Sequence, residues 1–139
     1  MISTIEKVLF LKGVDLFRSI ASEELATIAS IAEIIEIEKD HTIFNEGDKG
    51  DAMYLIVRGR VKVHSKTHTL AELDERQCFG EMALLDDNEQ RSAAITALTE
   101  LLLLKIMRDD FIEILSEKSE IAIGVIKVLT RRLREANKR

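Results

Sequence analysis

Hydrophobic and polar positions change period twice along the chain. In residues 3–32 the apolar spacing is helical: Ile5, Val8, Leu9 and Lys12 fall on one face, and Leu25, Ile28, Ala29 and Ala32 follow at i, i+3, i+4 and i+7 of a second helix. Ser22 is the expected N-cap of that helix, with Glu23 and Glu24 in its first turn. In residues 33–107 the period drops to two. Ile35 and Ile37 alternate with Glu36 and Glu38, Met53, Leu55 and Val57 share a face, and Val61 and Val63 resume beyond Gly59. Turn signals separate these runs at Lys39-Asp40, Asn45-Glu46-Gly47-Asp48, Arg58-Gly59-Arg60, Ser65-Lys66-Thr67 and Asp74-Glu75. Two further strands lie within residues 93–107. Half-buried antiparallel strands at this spacing build a sandwich, roll or barrel. From 108 to 138 helical spacing returns: a short helix starting at Asp109 or Asp110 holds Phe111, Ile114 and Leu115. A longer one from about Glu117 carries Ile121, Val125, Val128, Leu129 and Leu133 near one stripe. Gly124 inside it costs about 1 kcal/mol against Ala, so it is either tolerated or marks close packing or a bend.

A length of 139 residues predicts one domain, 1–139, with N-terminal helices in 1–32, a β-rich body in 33–107 and C-terminal helices in 108–139. With 46% hydrophobic and 32% charged residues, the chain has the apolar mass for a core and lacks the bias of a disordered or low-complexity protein. No apolar run approaches the ~20 residues of a membrane span. The first 20 residues hold Glu6 and Asp15 and no secretory signal. One cysteine, Cys78, without an intrachain partner fits a reducing compartment, and the expected location is the cytoplasm.

Charge narrows the choice of ligand. The net charge of −5 makes the chain a poor polyanion binder, and one Tyr, five Phe and no Trp leave few stacking platforms for single-stranded nucleic acid. An anionic ligand should therefore be small and held in a local pocket. Residues 119–139 nonetheless carry six basic and two acidic side chains. That surplus reads as a solvated helix end complementing the helix dipole, or as attachment to an acidic surface or a further domain. Proline is absent, so turns fall to Gly, Asp and Asn.

The densest chemical signal is Phe79-Gly80-Glu81-Met82-Ala83-Leu84-Leu85, followed by Asp86–Gln90 and then Arg91-Ser92-Ala93-Ala94. Gly80 allows a sharp turn out of a strand. Glu81–Leu85 can form one helical turn whose first amides lack partners and offer an anion seat. Ala83 is small enough for close approach, and Arg91, folded back over the seat, would clamp a two-oxygen anion. Glu81 would accept hydrogen bonds from a hydroxyl pair. Together these suit a phosphorylated sugar better than free phosphate. The competing reading leaves Arg91 paired with Asp86 or Asp87 at the surface, where such a pair contributes little.

These residues resemble the phosphate-binding cassette of the cyclic nucleotide-binding domain family, which includes regulatory subunits of cyclic-AMP-dependent kinase, cyclic-nucleotide-gated channels and the bacterial catabolite activator protein. Asn45-Glu46-Gly47-Asp48 with Gly50-Asp51, then Tyr54-Leu55-Ile56, Gly59 and Val61, resembles the family's glycine-rich turn and hairpin. The resemblance covers nearly the whole chain. It implies a mainly β fold, an eight-stranded jelly roll (double-stranded β-helix) with N-terminal helices and two C-terminal helices, and a cassette over 79–94. It implies that Glu81 hydrogen-bonds a ribose 2′-hydroxyl, that Arg91 pairs with a cyclic phosphate, and that the amides of Ala83 and Ser92 contact phosphate oxygens. Gly80, Met82 and Ala93 complete the implied ligand-binding set. The chain departs from the family in the loop before Arg91, where Gly and Pro are usual: Asp86, Asp87 and Glu89 put three acids beside an anion site, which costs affinity unless they face water.

The implied function is a non-catalytic sensor of a cyclic nucleoside monophosphate, cAMP ahead of cGMP, with no cofactor and no metal. Occupancy would be passed on through the C-terminal helices to an effector that the sequence does not reveal. Neither membrane insertion nor direct nucleic-acid contact is expected, because residues after 119 hold one long helix and no recognition helix. Two alternatives stand beside it: a ligand-free jelly-roll interaction or dimerisation module, or a regulatory piece of a larger transcription factor, transporter or kinase-type protein; a homodimer formed through the C-terminal helix is compatible with the sensor reading. A metal-dependent jelly-roll enzyme would draw on His41, His64, His68 and Glu72, but these show no ligand-like pairing and read as exposed hairpin residues. There is no nucleophile elbow, and the chain is read as not an enzyme.

Overall fold

A computed structural model describes residues 2–138. Helices α1 (Thr4–Leu11) and α2 (Ser22–Ile31) flank a 3-10 turn at Asp15–Phe17. Eight strands follow: β1 (Glu33–Ile37), β2 (Thr42–Phe44), β3 (Ala52–Arg58), β4 (Val61–His64), β5 (Thr69–Leu73), β6 (Cys78–Phe79), β7 (Ala94–Ala97) and β8 (Leu101–Met107), with a second 3-10 turn at Glu81–Leu84 between β6 and β7. Helices α3 (Arg108–Glu117) and α4 (Ser119–Asn137) close the chain. The strands form two antiparallel sheets, β1-β8-β3-β6 and β2-β7-β4-β5, the expected eight-stranded roll.

The continuous apolar run of β3 is explained by the two faces of its sheet. Met53 and Leu55, with Leu104 and Ile106 of β8, pack into a core shared with the helices. Ala52, Tyr54 and Ile56, with Leu101 and Leu103, point the other way into a core between the two sheets. Side chains alternate across a strand, so a sheet covered on both faces carries long apolar runs in its central strands, here broken only by Lys105 within β8 and Arg58 at the end of β3.

Several local expectations are corrected. Ile5 and Leu9 face solvent, while Val8 and Leu11 turn inward. The inner edge of α1 is set by Leu11 and by Lys7, whose ammonium donates to Ala32 O at 2.7 Å and closes the end of α2. Ser3 with Glu6 forms a capping box at the start of α1. The N-cap of α2 is Ala21 rather than Ser22: Ser22 already has helical geometry, and Ala21 O accepts from Glu24 N and Leu25 N. Helix α3 starts at Arg108, directly after β8, leaving Asp109 and Asp110 in its first turn. On α4, Ile121, Val125 and Val128 are buried as expected and Leu129 packs partly, but Leu133 faces solvent and is exposed. Gly124 marks close packing: a Cβ there would stand 2.8 Å from Ile20 Cγ1 and 3.2 Å from Ser19 O. Among the described residues no helix is long and apolar enough to cross a membrane.

Candidate functional site

The cassette begins where β6 stops. Gly80 adopts φ 76°, the left-handed region, and a Cβ on it would lie 2.6 Å from Arg91 Nη1. Glycine is required twice over, for the turn and for the arginine. The loop that follows is fixed to the glycine-rich turn between β2 and β3: Gly50 N donates to Glu89 O at 2.9 Å, Arg91 N to Asp48 O at 2.7 Å, and Gly47 N to Arg91 O at 2.7 Å. Two segments remote in sequence thereby become one surface.

Arg91 is 4% exposed and is the only polar or charged residue buried to that degree among the described residues. Its Nη2 donates to Ala52 O at 2.7 Å, its Nη1 reaches Gly80 O at 3.4 Å, and the guanidinium carbon sits 4.2 Å from the centroid of the Phe44 ring. The nearest carboxylate oxygen, Glu89 Oε2, is 3.7 Å away from Nη1 and makes no hydrogen bond. Arg91, Gly80, Ser92 and Ala93 line a cavity of about 150 Å³, whose apolar wall includes Phe44, Phe79 and Ile95. A wider hollow of about 440 Å³ between Glu36, Glu38, Arg58 and Glu100 is open and dominated by carboxylates, the wrong sign for an anion.

Glu81 does not line the Arg91 cavity. Its carboxylate is engaged instead by Arg132 of α4: Nη2 donates to Glu81 Oε1 at 3.3 Å and to Asp15 Oδ2 at 2.7 Å, and Nε donates to the same Asp15 oxygen at 3.1 Å. The other Glu81 oxygen, Oε2, is buried without a hydrogen-bond partner. An orphaned buried acceptor costs about 1–3 kcal/mol and marks a place where a donor is missing. The Ala83 amide donates to Gly80 O at 3.2 Å and so is not free as an anion donor in this structure. The amides of Glu81 and Met82, at the head of the turn, have no acceptor within it. Met82 projects outward, 52% exposed, Ala83 is buried, and Ser92 is exposed at the cavity.

The hydrogen bond from Arg132, with Arg18 nearby, holds the Asp15 carboxyl below its ordinary range, and the same contact raises Arg132. Burial pushes the Cys78 thiol up to about 11, helped by the Glu81 carboxylate. His64 is engaged by Thr96 Oγ1 at 2.8 Å and His68 by Thr67 Oγ1 at 2.7 Å. Among the described residues no group of three or more His, Cys, Asp or Glu side chains could hold a metal ion.

Sequence reasoning missed Phe44, the Ala52 carbonyl, Asp15 and Arg132. Phe44 sits in a strand too short to show a period, a carbonyl leaves no mark in sequence, and Arg132 was one of several basic residues in a solvated-looking helix end.

Residues 34–118 match the family model for the "Cyclic nucleotide-binding domain". The Cyclic AMP receptor protein of Thermus thermophilus is 36% identical over 133 residues, spanning 91% of this chain and 61% of that protein. A cAMP-dependent protein kinase regulatory subunit of Dictyostelium discoideum is 35% identical over 97 residues, 64% of this chain and 29% of that one. Among solved structures, the N-terminal domain of a transcriptional regulator from Streptomyces coelicolor superposes with a TM-score of 0.87 at 30% identity over 93% of both chains. The Thermus thermophilus Catabolite Activator Protein gives 0.70 at 33% identity, over 89% of this chain and 60% of that one. The chain thus spans about three fifths or less of the curated relatives it matches. Such domains are regulatory binding modules rather than catalysts. A match running from β1 to the end of α3, laid over an eight-stranded roll with its glycine-hinged cassette in place, makes this chain a member of the cyclic nucleotide-binding domain family.

Proposed function

We propose that the chain is a sensor of a cyclic nucleoside monophosphate, cAMP before cGMP, that reports occupancy through its C-terminal helices. One observation carries the reading: a buried guanidinium, held by two carbonyls and an aromatic face with no hydrogen-bonded carboxylate, opens onto a cavity beside a glycine hinge. A buried charge so placed is stabilised by an anion that completes its coordination. Arg91 would receive the cyclic phosphate, the amides of Glu81 and Met82 would add donors, and the orphaned Glu81 Oε2 would accept from the ribose hydroxyl. The cavity corresponds to about five waters' share of liquid volume, so part of a nucleotide lies outside it. The preference for adenine rests on the relatives, whose names specify cAMP, and on the similarity to "cAMP bound PfPKA-R", at 33% identity and a TM-score of 0.72. The reducing compartment suited to a free Cys78 is the cytoplasm.

A second reading concerns assembly. Ile123, Ile126 and Leu133 are exposed on α4 at i, i+3 and i+10, with Thr130 at i+7, the spacing of a coiled-coil seam. A second copy of the chain packed there would make a homodimer, and sedimentation with and without nucleotide measures it.

Isothermal titration of the wild type with cAMP and cGMP, alongside Arg91→Ala, tests the sensor reading. The expected result is a saturable cAMP isotherm that Arg91→Ala weakens by about 30-fold or more, in line with roughly 2–5 kcal/mol for removing one partner of a buried charge pair. Circular dichroism should show the variant folded. Unchanged affinity in Arg91→Ala would remove the site from Arg91.

A further inference from the structure

The acidic loop before Arg91 does not simply face water. Asp86 and Asp87 are exposed, but the Glu89 side chain is 19% exposed and turns inward. Its Oε2 lies 3.7 Å from Arg91 Nη1, is buried, and has no hydrogen-bond partner. It rests against the bare Cα of Gly50, where a Cβ would collide with that oxygen and would also stand 2.9 Å from Ala83 Cβ and 3.2 Å from Arg91 Cζ. The backbone beneath it is pinned, with Glu89 O accepting from Gly50 N and Glu89 N reaching Asp86 O at 3.3 Å. Glu89 and Arg91 are the only charged side chains lining the cavity among the described residues.

Resting on the sensor reading above, we infer that Glu89 is a built-in counter-anion that keeps the Arg91 seat neutral and selects singly charged phosphodiesters over doubly charged phosphates. The charges lead there directly. Arg91 and Glu89 together sum to zero. A cyclic nucleoside phosphate brings one negative charge and can take the place of the Glu89 carboxylate against the guanidinium, the carboxylate staying close by because its backbone is pinned to Gly50. An open nucleoside monophosphate or inorganic phosphate, with a second pKa near 6, brings close to two. Its extra charge meets one guanidinium and a neighbouring carboxylate at a site shielded from water, where like charges repel strongly. Glu89 thus weakens the binding of every anion and weakens dianions most. The loose 3.7 Å contact suits this role, since a tight bidentate pair would exclude the ligand altogether.

The test is calorimetric titration of wild type, Glu89→Gln and Glu89→Asp with cAMP, 5′-AMP and inorganic phosphate. Glu89→Gln keeps the shape and removes the charge. The expected result is about tenfold tighter cAMP binding, about 1.4 kcal/mol, and a larger gain for 5′-AMP, so that the preference for the cyclic ligand narrows. Glu89→Asp, which keeps the charge, should retain the preference. Equal gains for the two nucleotides, or weaker cAMP binding in Glu89→Gln, would overturn the assignment. A merely structural role would lower the melting temperature without moving the ratio of affinities, and that outcome would also overturn it. If neither wild type nor Glu89→Gln binds cyclic nucleotide, the sensor reading fails by itself and inorganic phosphate decides Glu89. A phosphate-dependent rise in melting temperature in Glu89→Gln and not in wild type supports the counter-anion, and no rise in either refutes it.

Discussion

Arg132 donates from Nη2 to Glu81 Oε1 at 3.3 Å, joining the last turns of α4 to the first residue of the cassette's 3-10 turn. The same nitrogen fastens Asp15 at 2.7 Å, so one guanidinium links the N-terminal segment, the cassette and the C-terminal helix. On the sensor reading, a ligand hydroxyl that engages Glu81 changes what Arg132 is bonded to. The position of α4 can then respond, by no more than the ligand's differential affinity for the two arrangements.

Removing that guanidinium should loosen α4 more than it destabilises the fold. Arg132→Ala is expected to lose about 1 kcal/mol, since the pair is partly solvated, while amide exchange accelerates along the C-terminal half of α4. The loss should depend on acidity. Arg132 holds Asp15 below its ordinary 3.8, so the contact contributes fully above that value and disappears as the pH falls through the lower native one. Urea unfolding of wild type and variant should therefore differ near neutrality and converge well below 3.8. A gap that persists in acid would mean that the Arg132 stem, and not its charge, does the stabilising.

Glu81 should govern sugar recognition. Its Oε2 is unpartnered, and on the sensor reading it would accept from a ribose hydroxyl. Glu81→Ala is expected to weaken cAMP binding by about tenfold, the worth of one hydrogen bond to a charged group, and to leave 2′-deoxy-cAMP affinity nearly unchanged. Competition titrations with the two nucleotides measure this directly, and equal losses for both would place the hydroxyl elsewhere.

Gly124→Ala sets helix propensity against packing. Alanine favours the helix by about 1 kcal/mol, but the new methyl would press on Ile20 Cγ1 and the Ser19 carbonyl, and such overpacking costs roughly 1–3 kcal/mol. A net loss is expected, visible as a lower urea midpoint with an unchanged slope. A raised midpoint would show that α4 can shift away from Ser19 and Ile20 without penalty.

Local chemistry made much of the molecule legible in its sequence. The two changes of period, the glycine and aspartate turns and the cassette from Gly80 to Ala93 all lie within short stretches, where side-chain alternation and backbone permissiveness are set by near neighbours. Tertiary structure alone decided the rest. Which side of α1 turns inward depends on the core that Val8 and Leu11 meet, and the apolar run of β3 is divided between two cores that only the packed sheets and helices create. Arg91 is held by a carbonyl 39 residues away, and Glu81 is bonded by an arginine 51 residues downstream that is itself anchored 117 residues back on Asp15. Charges attract across space without regard to chain order, so a sequence can name the acid and the base of a site and still leave open which partner each will take.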